Sequence, residues 1–260
     1  KSRVVRQCKQ ERNYHIFYQL CSASAHHALL HAFELGSPEQ FHYLSQSGCA
    51  TITGVSDNDE FATLVAAFET LGCSQESLLA YLNVVAGLLH LGNLDFETVH
   101  VSNTTALQEQ CRRSLELSAG YLGLAPEALL SGLTVREMTI RGEHVKVTIE
   151  PEMARDARDA LAKAIYGHVF DVLVRFANQS MAAEQTQPGS KHVIGVLDIF
   201  GFEIFEVNSF EQLCINYANE KLQQHFMQYV LKDEQEVYQS EHIDYNPTQF
   251  IDNQHVLDLL

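Results

Sequence analysis

The stretch His192–Asn208 reads HVIGVLDIFGFEIFEVN, and a long helical pattern follows it. Val193, Ile194, Val196 and Leu197 form a β-branched and apolar run, which predicts a short strand buried on both faces. The run ends on Asp198, Gly201 comes three residues later, and Glu203 precedes a helix start at Asn208–Ser209. An Asp at the carboxyl end of a buried strand can hold a magnesium ion, directly or through its water. A glycine lets its N–H come close to a terminal phosphate, because no Cβ stands in the way. Glu203 then lies where it can pair with a cation or orient a water. The same letters also suit a buried strand whose terminal Asp caps a turn. The pattern hhhhD-x-x-G by itself leaves both readings open.

Composition narrows the classes. The chain has 260 residues, 46% hydrophobic and 19% charged, which fits one large or two modest globular domains. No run approaches the ~20 apolar residues of a membrane span, and KSRVVRQC at the start carries no signal-peptide core. A formal net charge of −16 argues against nucleic acid and anionic membrane as partners. Cysteines at 8, 21, 49, 73, 111 and 214 show no C-x-x-C, so reduced, mostly buried thiols of a cytosolic protein are expected. The chain begins mid-pattern on Lys1 and stops on the apolar run Val256–Leu260, which suggests a fragment.

The chain upstream is mostly helical in pattern. Ser2–Val5 reads as a strand end, and Gln7–Leu35 as helix. His27 and His31 sit four apart there, a metal-compatible spacing that lacks a third ligand. A short helix is expected around Glu39–Ser45. Ser56–Gly72 is amphipathic, with Asp57 and Glu60 resembling a capping box and Phe61, Leu64, Val65, Phe68 and Leu71 as its stripe. Ser74 opens the next helix, which ends near Gly92. Ala106–Leu122 reads as helix, and Pro126 opens another. Thr134–Ile149 switches to a period of two around Arg141-Gly142, which predicts a hairpin carrying Arg136, Arg141 and Lys146. Pro151 starts a helix reaching about Asn178, and Ala182–Ser190 is a polar loop. After the opening stretch, Ser209 to about Ser240 gives a helix of about 32 residues, or ~48 Å.

With DIFGFE at Asp198–Glu203 continuing into EIFEVNSFEQLCINYANEKLQQHF, the chain resembles the myosin motor domain. ERNYHIFYQL (Glu11–Leu20), LLHLGNLDF (Leu88–Phe96) and RDALAKAIYGHVFDVLV (Arg158–Val174) agree in order, so the resemblance covers essentially all 260 residues. It implies an α/β, predominantly helical fragment of a P-loop NTPase motor domain, with part of its central mixed sheet. Residues 1–190 correspond to the upper actin-binding subdomain, 191–208 to a sheet strand and the second nucleotide switch, and 209–260 to the relay helix and the region after it. NQH at Asn253–His255 departs from the more usual Asn-Gln-Pro.

The function implied is an actin-activated ATPase motor. ATP and Mg2+ are the implied cofactors, and actin filaments the partner in the cytoplasm and cytoskeleton. Calmodulin-like light chains are implied through a neck that these residues lack. Carried over by position, Asp198 contacts the magnesium shell, the Gly201 N–H bonds the γ-phosphate, and Glu203 pairs with an arginine of a first switch. The hairpin, with Arg136, Arg141, Glu143 and Lys146, falls where the family touches actin. Glu143 stands at the position that is acidic or phosphorylatable in the family, so no phosphorylation requirement is expected. The phosphate loop G-x-x-x-x-G-K-[ST] does not occur in these residues, so the fragment alone is expected to be inactive. The competing reading is a non-catalytic, myosin-like actin-binding scaffold.

Overall fold

A computed structural model describes residues 2–25, 28–99, 104–140, 143–182, 194–246 and 253–259. The chain divides into two units, Lys1–Gln185 and Thr186–Leu260. In the first, Ser2–Val4 is a 3-10 turn and not a strand end. The Val4 carbonyl accepts from Asn13 Nδ2 at 2.8 Å, so a side chain ties the segment down where a neighbouring strand would otherwise do so. Helix α1 spans only His15–Ser24, followed by a 3-10 segment at Ala28–Phe33, where one helix over Gln7–Leu35 is expected. The single Ser24 hydroxyl proton is shared between Cys21 O at 2.9 Å and Leu35 O at 3.1 Å, and the local bond to Cys21 competes with helix continuation.

Helix α2 is His42–Ser45, after a 3-10 turn at Pro38–Gln40. Helix α3 is Asp57–Thr70. Its cap is Ser56, whose Oγ accepts the Asp59 N–H at 3.4 Å. Asp57 does not cap; it pairs with the Arg12 guanidinium at 2.6 Å. Gly72 ends the segment at φ +76°, where a side chain would be strained. Helix α4, Gln75–Gly92, starts on Ser74 as the spacing predicts and buries Leu78, Leu82, Val85, Leu88, Leu89 and Leu91.

The segment after α4 differs from its sequence pattern. Strand β1, Phe96–Val99, pairs antiparallel with β2, Thr104–Leu107, in the register Phe96↔Leu107 to Val99↔Thr104. Helix α5 therefore spans only Arg112–Leu122. The Gln108 N–H donates to Asp95 O at 3.0 Å and its Nε2 to Asp95 Oδ2 at 3.0 Å, closing the base of this hairpin. That closure holds the β-branched Thr104 and Thr105 extended. Helix α6, Pro126–Thr134, leads into β3, Val135–Ile140, and β4, Glu143–Thr148, the hairpin that the period-two pattern predicts. Helix α7 runs Pro151–Ser180.

One core joins these pieces. It contains Phe17, Tyr18 and Leu20 of α1, Tyr43 and Leu44 of α2, the apolar stripe of α4, Leu115 and Ala119 of α5, Leu129 and Leu133 of α6, and Ala154 and Ala162 of α7. Arg158 of α7 is only 4% exposed. Its Nη1 donates to Gly92 O at 3.2 Å and Leu94 O at 2.6 Å, and its Nη2 pairs with Asp159 at 2.7 Å. Tyr43 donates its hydroxyl to the same Asp159 carboxylate at 2.7 Å, and burial pushes that phenol's pKa up. The Tyr43 ring lies flush against Gly92, where a Cβ would come within 2.6 Å of it.

The second unit shows no strand among its described residues. Ile194 and Val196 are 97% and 95% exposed, and residues 194–205 form neither helix nor strand, in place of the predicted buried strand. A strand is stabilised by its neighbours, and no described segment pairs with this one. Val193 lies outside the described residues. The expected long helix forms as α8, Phe210–Phe226, a π-helical segment at Met227–Lys232, and α9, Asp233–Ser240, in one unbroken run. Helix α10 is Gln254–Leu257. Among the described residues the fold is predominantly helical, with two small antiparallel sheets. No described helix is long and apolar enough to cross a membrane.

The cysteines are free, but only Cys21 and Cys111 are buried, while Cys8 and Cys214 are exposed. Burial pushes the Cys21 thiol up to about 12.

Two tests follow from the core. Gly92→Ala is expected to cost about 1–3 kcal/mol through the Tyr43 overlap. Gly120→Ala, in α5 with open space around it, should instead stabilise by about 0.5–1 kcal/mol. Urea unfolding of both variants checks the contrast. His90 is buried, its Nε2 bonds Phe33 O at 2.8 Å, and desolvation lowers its pKa from 6.5. Its neutral form is the folded one, so the stability it contributes is complete above 6.5 and lost as pH falls toward the lowered value. Unfolding at pH 7 and pH 5 should show a smaller loss in His90→Gln than in the wild type.

Candidate functional site

Asn208 and Ser209 build the start of α8. Ser209 Oγ accepts the Glu211 N–H at 3.4 Å, and Gln212 Oε1 accepts the Ser209 N–H at 2.9 Å, completing a capping box. Asn208 closes the turn before it, accepting the Phe205 N–H at 3.0 Å and donating to Phe205 O at 2.9 Å.

Upstream, an irregular backbone is held by side-chain amides of the helix. Asn216 accepts the Glu203 N–H at 2.8 Å and donates Nδ2 to Glu203 O at 2.8 Å. Asn219 Nδ2 donates to Phe200 O at 2.7 Å, and Gln212 Nε2 donates to the Glu203 carboxylate at 3.2 Å. Gln212, Asn216 and Asn219 are four and three residues apart, hence on one face of α8. They satisfy backbone groups that a strand ladder would otherwise satisfy.

Asp198, Gly201 and Glu203 lie on this one segment. Asp198 and Gly201 are exposed, and Glu203 is half-buried against α8. A Cβ on Gly201 would meet nothing within 4 Å, and its φ is outside the left-handed region, so nothing described in the chain requires glycine there. Gln212, Asn216 and Asn219 escape a reading that follows carboxylates and glycines. Their signal is three amides at i, i+4 and i+7 on a helix that follows an irregular loop.

Among the described residues no three His, Cys, Asp or Glu side chains form a metal cage. Mg2+ does not need one; it takes one or two carboxylates, with phosphate and water oxygens for the rest. Asp198, an exposed carboxylate on the same segment as Gly201, has the donor chemistry of an ion held mainly by phosphate and water oxygens. Of the histidine pair, His31 is exposed in the 3-10 segment, and His27 lies outside the described residues.

The hairpin's basic residues do not form one cluster. In register, Glu137 faces Lys146 and Arg136 faces Val147, so Arg136 and Lys146 project from opposite faces. Lys146 Nζ pairs with the Glu137 carboxylate at 2.9 Å, with both side chains well exposed. Glu143 sits opposite Ile140 at the turn end of β4, and Arg141 lies outside the described residues.

The family model described as Myosin head (motor domain) matches residues 1–260. The myosin-I heavy chain of Dictyostelium discoideum is 44% identical over 261 residues, covering 100% of this chain and 11% of that protein. Myosin-7 and myosin-17 of Arabidopsis thaliana are each 43% identical over all of this chain, which spans 15% and 17% of their lengths. The chain belongs to the myosin motor-domain family, a family of P-loop NTPases, and spans a small part of the curated relatives it matches.

Asn216→Ala is expected to speed hydrogen exchange at the Glu203 amide by about tenfold, the equivalent of roughly one net hydrogen bond. Exchange within α8 should change far less. Equal acceleration along the whole helix would mean that Asn216 supports α8 and not the loop.

Proposed function

We propose that this chain is the segment of an actin-based, ATP-driven motor that links a nucleotide switch to a long output helix. In this reading residues 1–190 belong to the upper actin-binding subdomain, 191–208 to the second switch, and 209–260 to the relay helix and its exit. The observation that carries it is the joining of Glu203 to α8 through both backbone and side chain, within a motif that the family match covers.

When bound, ATP and Mg2+ supply the phosphoanhydride to be cleaved and the cation that offsets its charge. Asp198 would serve the ion's shell, and Gly201 would offer its N–H to the terminal phosphate. Glu203, oriented by Gln212, would pair with an arginine of a first switch and so close the site over the attacking water. Catalysis then rests on positioning and on preorganised charge, with little covalent chemistry from side chains. Because Asn216 and Asn219 grip Glu203 and Phe200, a shift of this loop pulls on the first turns of α8. A continuous helix over 210–240 carries that pull along its length. The hairpin, with Arg136, Arg141, Glu143 and Lys146, contacts actin, and the protein works on the cytoskeleton.

ATP turnover by the full-length protein, with and without actin filaments, tests this reading. Turnover accelerated by actin is expected. Gly201→Ala keeps the N–H but sets a Cβ between it and the phosphate, and should lower turnover by about a hundredfold, the scale of one positioned donor held out of reach, while leaving the fold unchanged. Actin binding without turnover would favour the scaffold. The 260 residues alone should show no turnover. Glu143→Ala should weaken actin activation, and unchanged actin affinity and maximal rate would remove Glu143 from the interface.

A further inference from the structure

A pocket of about 140 Å3, open to solvent on one side, lies within the first unit, among α1, α3, α4 and α7. Its lining is aliphatic and aromatic, with no charged side chain among the described residues that form it. Leu78 and Leu82 of α4 line it, and two aromatic walls flank it. Phe68 of α3 and Tyr81 of α4 form one, their rings 5.9 Å apart and tilted by 33°. Tyr166 and Phe170, one turn apart on α7, form the other. Tyr166 is backed by Tyr14, stacked at 4.7 Å and 17°, which fixes the plane of its ring. Phe170 is 53% exposed and marks the mouth.

The chemistry of this lining selects its guest. A charged or strongly hydrogen-bonding molecule would surrender its hydration without finding partners. Water itself needs two to four polar neighbours to stay in such a space. Dry apolar cavities of roughly 150 Å3 accept benzene-sized guests. Ring walls add offset or edge-to-face contact for a planar guest. We propose that this cavity is a binding site for a small, neutral aromatic molecule of one ring or two fused rings. It uses no residue of Asp198–Glu203, so it stands apart from the nucleotide reading.

The test is fluorine NMR of fluorobenzene with the full-length protein, using indole as competitor and benzoate as a charged control. Saturable binding is expected, displaced by indole and not by benzoate. Val169→Phe and Leu64→Phe each push a ring into the cavity from its rim. Whichever retains the wild-type circular dichroism should bind at least about tenfold more weakly, a change of roughly 1.4 kcal/mol. In the unmutated protein, indole should slow hydrogen exchange in α3, α4 and α7. Binding that does not saturate, survives in a folded filled variant, or protects only other segments would overturn the proposal.

Discussion

The Arg158 guanidinium is the constraint on which the first unit depends. A helix end leaves carbonyls without partners. Here the end of α4 is closed by a cation from α7, through Gly92 O and Leu94 O. Burying that charge is tolerable only because Asp159 neutralises it and the Tyr43 ring lies beneath it, 5.6 Å from the guanidinium carbon. Asn13 extends the network, donating to Tyr43 O at 3.0 Å and Val4 O at 2.8 Å. Arg155 repeats the device one turn earlier, pairing with Asp95 at 2.6 Å and donating to Phe96 O at 2.8 Å. The three upstream stretches that carry the family resemblance therefore meet around one buried polar cluster. In this unit they account for packing.

The second unit solves a different problem with a related device. Its irregular segment exposes apolar side chains and has no strand beside it among the described residues. Backbone groups still need partners, and side-chain amides on one face of α8 provide them. The result couples loop to helix more tightly than chain connectivity alone. Bonds that satisfy the loop are the same bonds that fix its position against α8.

The β3–β4 hairpin shows how register governs charge. Counted along the chain, Arg136 and Lys146 belong to one basic cluster. Strand pairing sends them to opposite faces and sets Lys146 against Glu137. Any surface that the hairpin presents is therefore mixed in character on each face, with Arg136 beside Met138, Val145 and Val147 on one of them.

The sequence alone was enough for the family, the helix starts at Ser74, Pro126, Pro151 and Ser209, the hairpin at Thr134–Ile149 and the long helix after Asn208. Those features depend on caps, proline positions and hydrophobic period, which act over a few residues. It also placed Asp198, Gly201 and Glu203 on one segment. Tertiary structure decided the rest. Thr104–Leu107 became a strand because Asp95 and Gln108 close a hairpin across it. Val196 and its neighbours stayed outside a sheet because no described strand pairs with them. Arg12, Asn13 and Arg158 became core residues because Asp57, the Val4 and Tyr43 carbonyls, and the Gly92 and Leu94 carbonyls reach them from 9 to 66 positions away. Local pattern cannot specify such pairings, since each requires two distant segments to arrive with matched donors and acceptors.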